Sequence, residues 1–199
     1  MCGAQRTLAR ANSMARSRHL LASFLLATAC AAAGRAQTGA SLADAVKAKV
    51  EAKIEDLRFL SLDSRVVSAV KDYNADPPAD AKAMTNEEWT ILSAYSRFVL
   101  SLSENDLAEY LRSIADDSIA EIYASGADGG KVALLAKTMD WNDTGKPAHD
   151  IPMTGETWIG EVVSNPITRQ QFVEVGLPVF SEGEPIGSLV IRLRVDQSQ

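Results

Sequence analysis

The segment "TMDWNDTGKP", residues 138–147, holds the densest run of side chains that could do chemistry. Asp140, Asn142, Thr144 and Gly145 stand at the first, third, fifth and sixth places of a calcium-loop pattern. The twelfth place must supply a bidentate carboxylate and is Ile151, and "KPAHDI" brings a proline with no flanking helix. The hand-type loop therefore fails. Asp140, Asn142 and Asp143 are left as donors for a less formal cation, for a pocket lip, or for a solvated turn. His149 is the one histidine downstream of residue 36. A transition-metal centre draws on several His or Cys, and a serine triad needs a Gly-x-Ser-x-Gly elbow that does not occur here. His149 thus reads as a loop histidine and the chain as no enzyme. "GADGGK" lacks the Gly-Lys-Ser/Thr ending of a phosphate loop and precedes a strand, so it reads as a hairpin turn.

Two residues resist a bland reading. Glu174 interrupts an apolar strand and shares a face with Phe172 and Gly176, so it is either solvent-facing or a pocket carboxylate. Trp141 sits among polar residues just past "KVALLAK", where a core would not ask for it. Trp89 and Trp158 read as core, and Arg97 and Arg112 as helix-surface cations.

The N-terminus reads as an export signal, residues 1–36. Arg6, Arg10, Arg16 and Arg18 precede the apolar run Leu20 to Ala33, which is too short to span a bilayer, and Gly34 and Ala36 allow cleavage before Gln37. Cys30 in "LLATAC" is the alternative, a loose lipid-acylation site. Cys2 and Cys30 are the only cysteines and both precede the cut, so the mature chain forms no disulfide. The leader removes five cations and no carboxylate, leaving fifteen Lys and Arg against twenty-six Asp and Glu, a net charge of −11. Nucleic acids and anionic membranes are recognised by clustered cations, so neither is an expected partner.

Residues 37–199 have the length of one domain. Leu42, Val46, Val50, Ile54 and Leu57 form one apolar stripe on a helix from Ser41 to about Leu62. "DSRVVSAVKDY" is a second helical pattern, and "NADPPADAKA" breaks it. The capping-box spacing of Thr85 and Glu88 predicts a helix from Asn86 to about Leu102. Ser103 and Asp106 predict another through Ile114. Beyond Asp117 come "SIAEIYAS", "KVALLAKT", "WIGEVV", "RQQFVEVGLPVF" and "EPIGSLVIRLRV", about five short strands with hairpin turns at "GADGG" and "SEGE". The expectation is an α+β domain with an antiparallel sheet, a long N-terminal helix and further helices packed on it.

The order "IAEIYASGADGGKVALLAKTMDW", "GETWIGEV", "QQFVEVGLPVFSEGEPIGSLVIRLRVD" resembles the Cache family of extracellular sensor domains, relatives of PAS domains. The long leading helix and the Trp of "NEEW" fit the same family. The resemblance implies a PAS-like sheet with one face forming a pocket for a small polar metabolite, an amino acid or a carboxylate. Carried over by position, that pocket takes Tyr123, Lys137, Thr138, Asp140 and Trp141. A cation and a hydroxyl can hold a carboxylate, an Asp an amine, and aromatic walls exclude water. No metal and no cofactor is implied. The chain shows no output domain, so the expectation is a periplasmic or secreted domain that reports to a separate membrane sensor kinase or chemoreceptor. The competing expectation is a protein-interaction module with a vestigial pocket, its N-terminal helix pairing with a partner or with a second copy.

Overall fold

The computed structural model describes residues 36–195. Residues 1–35, which hold Cys30 and nearly all of the expected leader, and 196–199 lie outside that range. Among the described residues no helix is long and apolar enough to cross a membrane.

Four helices, those starting at Ser64, Asn86, Arg97 and Asp106, begin where a side chain satisfies a free N–H group. α1 (Ala36–Leu57) buries Val50, Ile54 and Leu57 of the expected stripe, then tightens into a 3-10 turn over Arg58–Leu62. Asp63 caps α2 (Ser64–Ala75) by accepting from the Arg65 amide at 2.9 Å. It also accepts from the Tyr110 hydroxyl at 2.7 Å, which ties α2 to a later helix. A short α3 (Ala79–Ala83) forms within the expected break.

The helix expected over residues 86–102 is two helices. α4 (Asn86–Ile91) starts on the reciprocal Thr85–Glu88 capping box, and α5 (Arg97–Ser103) starts afresh on Ser96, whose hydroxyl accepts from the Val99 amide. The break at residues 92–96 contains neither Pro nor Gly; a second cap produces it. α6 (Asp106–Ile114) is capped by Asn105 in place of the expected Ser103, and the Asn105 amide also donates to the Val132 carbonyl at 2.9 Å. That bond fixes α6 to the sheet.

The sheet has six antiparallel strands: β1 (Ile119–Gly126), β2 (Lys131–Leu134), β3 (Trp158–Ile159), β4 (Val163–Ser164), β5 (Gln171–Ser181) and β6 (Glu184–Arg194). The spatial order is β2-β1-β6-β5-β3, with β4 also on β5. Both expected hairpin turns form. In the second, Glu182 and Gly183 adopt φ of 55° and 90°, the left-handed pair that a two-residue hairpin needs. The single strand expected from "WIGEVV" is split into β3 and β4.

One face of the sheet packs on α2. Val66, Val70 and Tyr73 meet Ile122 and Ala124 of β1 and Leu189 and Ile191 of β6, all buried. The helix lies so close that a Cβ on Gly126 would come within 2.5 Å of the Tyr73 ring, and one on Gly187 within 2.8 Å of Val70. The α+β architecture with a long N-terminal helix agrees with the sequence expectation. The other face is covered by the segment 135–157, including α7 (Pro147–Asp150) and a 3-10 turn at Pro152–Thr154.

Candidate functional site

Cross-strand register places the polar residues of that second face in rows. Glu121, Arg192 and Glu174 form one row across β1, β6 and β5, and Tyr123, Val190 and Gly176 the next. Ser125, Ser188 and Pro178 form a third, and Lys131 of β2 pairs with Ser125. α7 sits on the last two rows. A Cβ on Gly176 would lie 2.3 Å from the Ala148 carbonyl oxygen, so only glycine admits the helix there. The cover stops short of the first row, whose charged side chains stay half-buried.

The deep end of this face holds an ion pair. Lys131 and Asp143 are 0% and 1% exposed, and the ammonium contacts the carboxylate directly. The same ammonium lies 3.9 Å from the Tyr123 ring centroid. Burial pulls the Lys131 amine down to about 8, against the raising influence of Asp143. Burial opposes ionisation of Asp143 as well, but Lys131 and Lys146 outweigh it and hold the carboxyl below its ordinary range. Lys146 bridges the rim at 2.7 Å from Asp140 and 2.8 Å from Asp143. His149, read as a loop histidine, is 2% exposed on α7. Its Nδ1 lies 2.7 Å from the Ser188 hydroxyl, the ring also bonds the Ala127 backbone, and burial lowers its proton affinity.

The first row is the open part. Arg192 reaches Glu121 at 3.9 Å and lies over the Phe172 ring. The Glu174 carboxylate makes no hydrogen bond and no close ion pair among the described residues, and burial raises its proton affinity, as it does that of the Glu121 carboxylate. A folded value above the ordinary one means that Glu174 contributes stability below pH 4.5 that is lost as pH rises through the folded value. Glu174→Gln is therefore expected to raise the thermal midpoint at pH 7 by roughly 2 to 4 °C, about 1 kcal/mol, and to change nothing at pH 4. Calorimetry at the two pH values checks this; equal shifts at both would show that the charge is not the cause.

The five residues expected at the site separate into three groups. Tyr123 lies on the floor beneath Lys131. Asp140 is on the rim, paired with Lys146. Lys137, Thr138 and Trp141 gather around Trp89: the Lys137 ammonium is 4.9 Å from its ring, the Thr138 carbonyl accepts from its Nε1 at 2.8 Å, and Trp141 packs on it at 5.4 Å. Trp141 is 3% exposed, so here the core does use it. The cause is Asn86 at the start of α4, whose Oδ1 accepts from the amides of Trp141 and Asn142 and folds the segment inward. In the calcium-like pattern, the side chains of Asn142 and Thr144 are spent on each other's segment and on the β1–β2 turn. Asn142 and Thr144 both donate to the Asp128 carbonyl, and the Thr144 amide donates to Asn142. Sequence reasoning missed Lys131, Asp143 as its partner, Lys146, Glu121 and Arg192. The one legible signal was a lysine opening an apolar strand.

No family model matches this sequence. No characterised protein matches it in sequence. Several solved structures are similar. The sensor domain of the histidine kinase DctB from Vibrio cholerae shares 16% identity over 79% of this chain and 55% of its own, with a TM-score of 0.43. A domain of a protein described as sensory box/GGDEF from Vibrio parahaemolyticus shares 13% over 81% and 57%, at 0.40. The sensory domain of the Campylobacter jejuni chemoreceptor Tlp3, solved with isoleucine bound, shares 14% over 75% and 62%, at 0.34. This chain spans between about half and two thirds of each of those chains. The DctB and Tlp3 domains are both sensory domains.

Proposed function

We propose that this is an exported sensory domain that binds a small polar metabolite, an amino acid or a carboxylate, on the half-covered face of the sheet and reports to a separate membrane partner. One observation carries the reading: a row of charged side chains, Glu121, Arg192 and Glu174, lies half-buried on an inner sheet face whose cover stops short of it. Surface charges need no such enclosure, and core positions do not tolerate an unpaired carboxylate. Arg192 and Lys146 suit a carboxylate group, and Glu174 an ammonium. Tyr123 belongs to the floor and Asp140 to the rim. Lys137, Thr138 and Trp141 back the rim through Trp89.

A thermal-shift screen tests it with amino acids, isoleucine among them, carboxylates, amines and nucleobases. A ligand at a hundred times its dissociation constant adds about 2.7 kcal/mol, which here raises the midpoint by roughly 5 to 10 °C. Arg192→Ala is expected to abolish the shift and leave the unliganded melt within about 2 °C of wild type, since its one ion pair is long, at 3.9 Å, and only half-buried. Silence across the library would overturn the reading. A second reading, an interaction module with a vestigial pocket, is favoured by one feature: the deepest part of the face is already filled by the protein's own ion pair.

A further inference from the structure

We infer that Asp143 and Tyr123 form a binding site for a primary ammonium group, and that the protein fills this site with its own Lys131. The parts are those that hold a free ammonium ligand: a buried carboxylate and an aromatic face. Asp143 supplies the charge from the covering segment. Tyr123 supplies the ring from the sheet, 3.9 Å from Nζ. Ser125 is fully buried, lies on the same face in register with Lys131, and its hydroxyl has no hydrogen-bond partner. The Lys131 ammonium does not bond that hydroxyl, so the carboxylate and the ring hold the ammonium between them.

The other charged groups around the pair are accounted for. Lys146 meets Asp143 through its second oxygen, Oδ1, and so does not compete for the oxygen that Lys131 holds. Glu121 and Glu174 act on Lys131 only through space, and His149 is engaged with Ser188. Lys131 rises from β2, and Asp143 lies twelve residues on in the cover. The contact therefore holds the covering segment against the sheet with no free ligand present. A lysine that merely opened a strand would keep its ammonium in water, as long cationic side chains do.

The ligand class is an unbranched primary alkylammonium. Lys131→Ala removes three methylenes and the ammonium, which is n-propylammonium. The test is a thermal melt of the full chain, wild type and Lys131→Ala, titrated with n-propylammonium chloride, with n-propanol and sodium propionate as controls. The variant is expected to gain about 3 to 6 °C at ten times the dissociation constant. Wild type gains nothing, since its site is occupied. Lys131→Met fills the space without charge and does not respond, and Lys131→Ala with Asp143→Asn loses the response. No gain in Lys131→Ala, or an equal gain in wild type, overturns the inference. If Lys131→Ala does not fold alone, refolding in n-propylammonium must restore native circular dichroism, and failure to recover overturns it equally. The outcome is independent of the metabolite screen. Rescue of the variant with a silent wild-type screen keeps the ammonium site and removes the sensory reading; a positive screen without rescue does the reverse.

Discussion

Trp89→Ala is expected to lower the thermal midpoint by roughly 10 to 15 °C, the outcome of losing about 3 to 5 kcal/mol. Trp89 is fully buried and sits where three things meet. Its ring packs edge-on against Phe98 at 6.3 Å and against Trp141 at 5.4 Å, so truncation leaves a cavity bounded by two more large rings. Its Nε1 donates to the Thr138 carbonyl at 2.8 Å, so truncation also strands an acceptor. The Lys137 ammonium over the same ring loses its seat. Trp89→Phe separates these contributions, because it keeps most of the bulk and loses the N–H; it should cost about a third as much. Melts followed at 222 nm decide it, and a drop of under 3 °C for the alanine variant would show that the aromatic cluster does not anchor the segment.

Asp143→Ala should cost about 3 to 5 kcal/mol, because removing one member of a buried ion pair leaves the other buried and uncompensated. Replacing both members, Lys131→Met with Asp143→Leu, should recover most of that loss, since apolar groups of similar size need no partner. Urea titrations measure the two midpoints, and a double variant as unstable as the single one would contradict the argument. The acid limb provides a second measure. The Asp143 carboxyl lies below its ordinary value of 3.8 in the fold, so it contributes stability above that value, lost as pH falls through the folded one. Asp116 behaves alike, held at about 2 by its bonds to Lys53 and Ser118, as does Asp63 beside Arg65. Wild type should therefore lose stability steadily below about pH 4, and Asp143→Ala should lose it less steeply.

Local signals were readable wherever local chemistry decides the outcome. Thr85 and Glu88 announce α4, "SEGE" announces the last hairpin, and the alternation around Glu174 groups that residue with Phe172 and Gly176. Sequence failed where two competing local solutions were both acceptable. A helix through residues 92–96 and a break there differ only by whether Ser96 turns its hydroxyl onto the Val99 amide. The expected strand is interrupted after Ile159, and at Gly160 a Cβ would meet the Trp158 ring at 2.7 Å and the Glu174 carbonyl at 3.2 Å, so glycine is the residue that fits there. The site was harder still. Lys131 and Asp143 lie in a strand and a loop with unrelated periodicities, and nothing in either segment alone names the other. Trp141 looked misplaced because its partners, Trp89 and Phe98, come from helices far upstream. His149 looked like a loop residue because its burial depends on a glycine in another strand, Gly176, which lets α7 touch the sheet.

The order of the sheet governs when this protein can exist during its own synthesis. Its middle seam joins β1 to β6, with Ile119 opposite Leu193, while each hairpin at the flanks joins sequence neighbours. A growing chain can form the β1–β2 hairpin early, but that hairpin has no sheet to join until β6 leaves the ribosome. Until then α2 has only half of its apolar floor, and the nascent chain stays open. A polypeptide whose sheet cannot close before β6 is made remains threadable through a narrow channel until that strand has emerged.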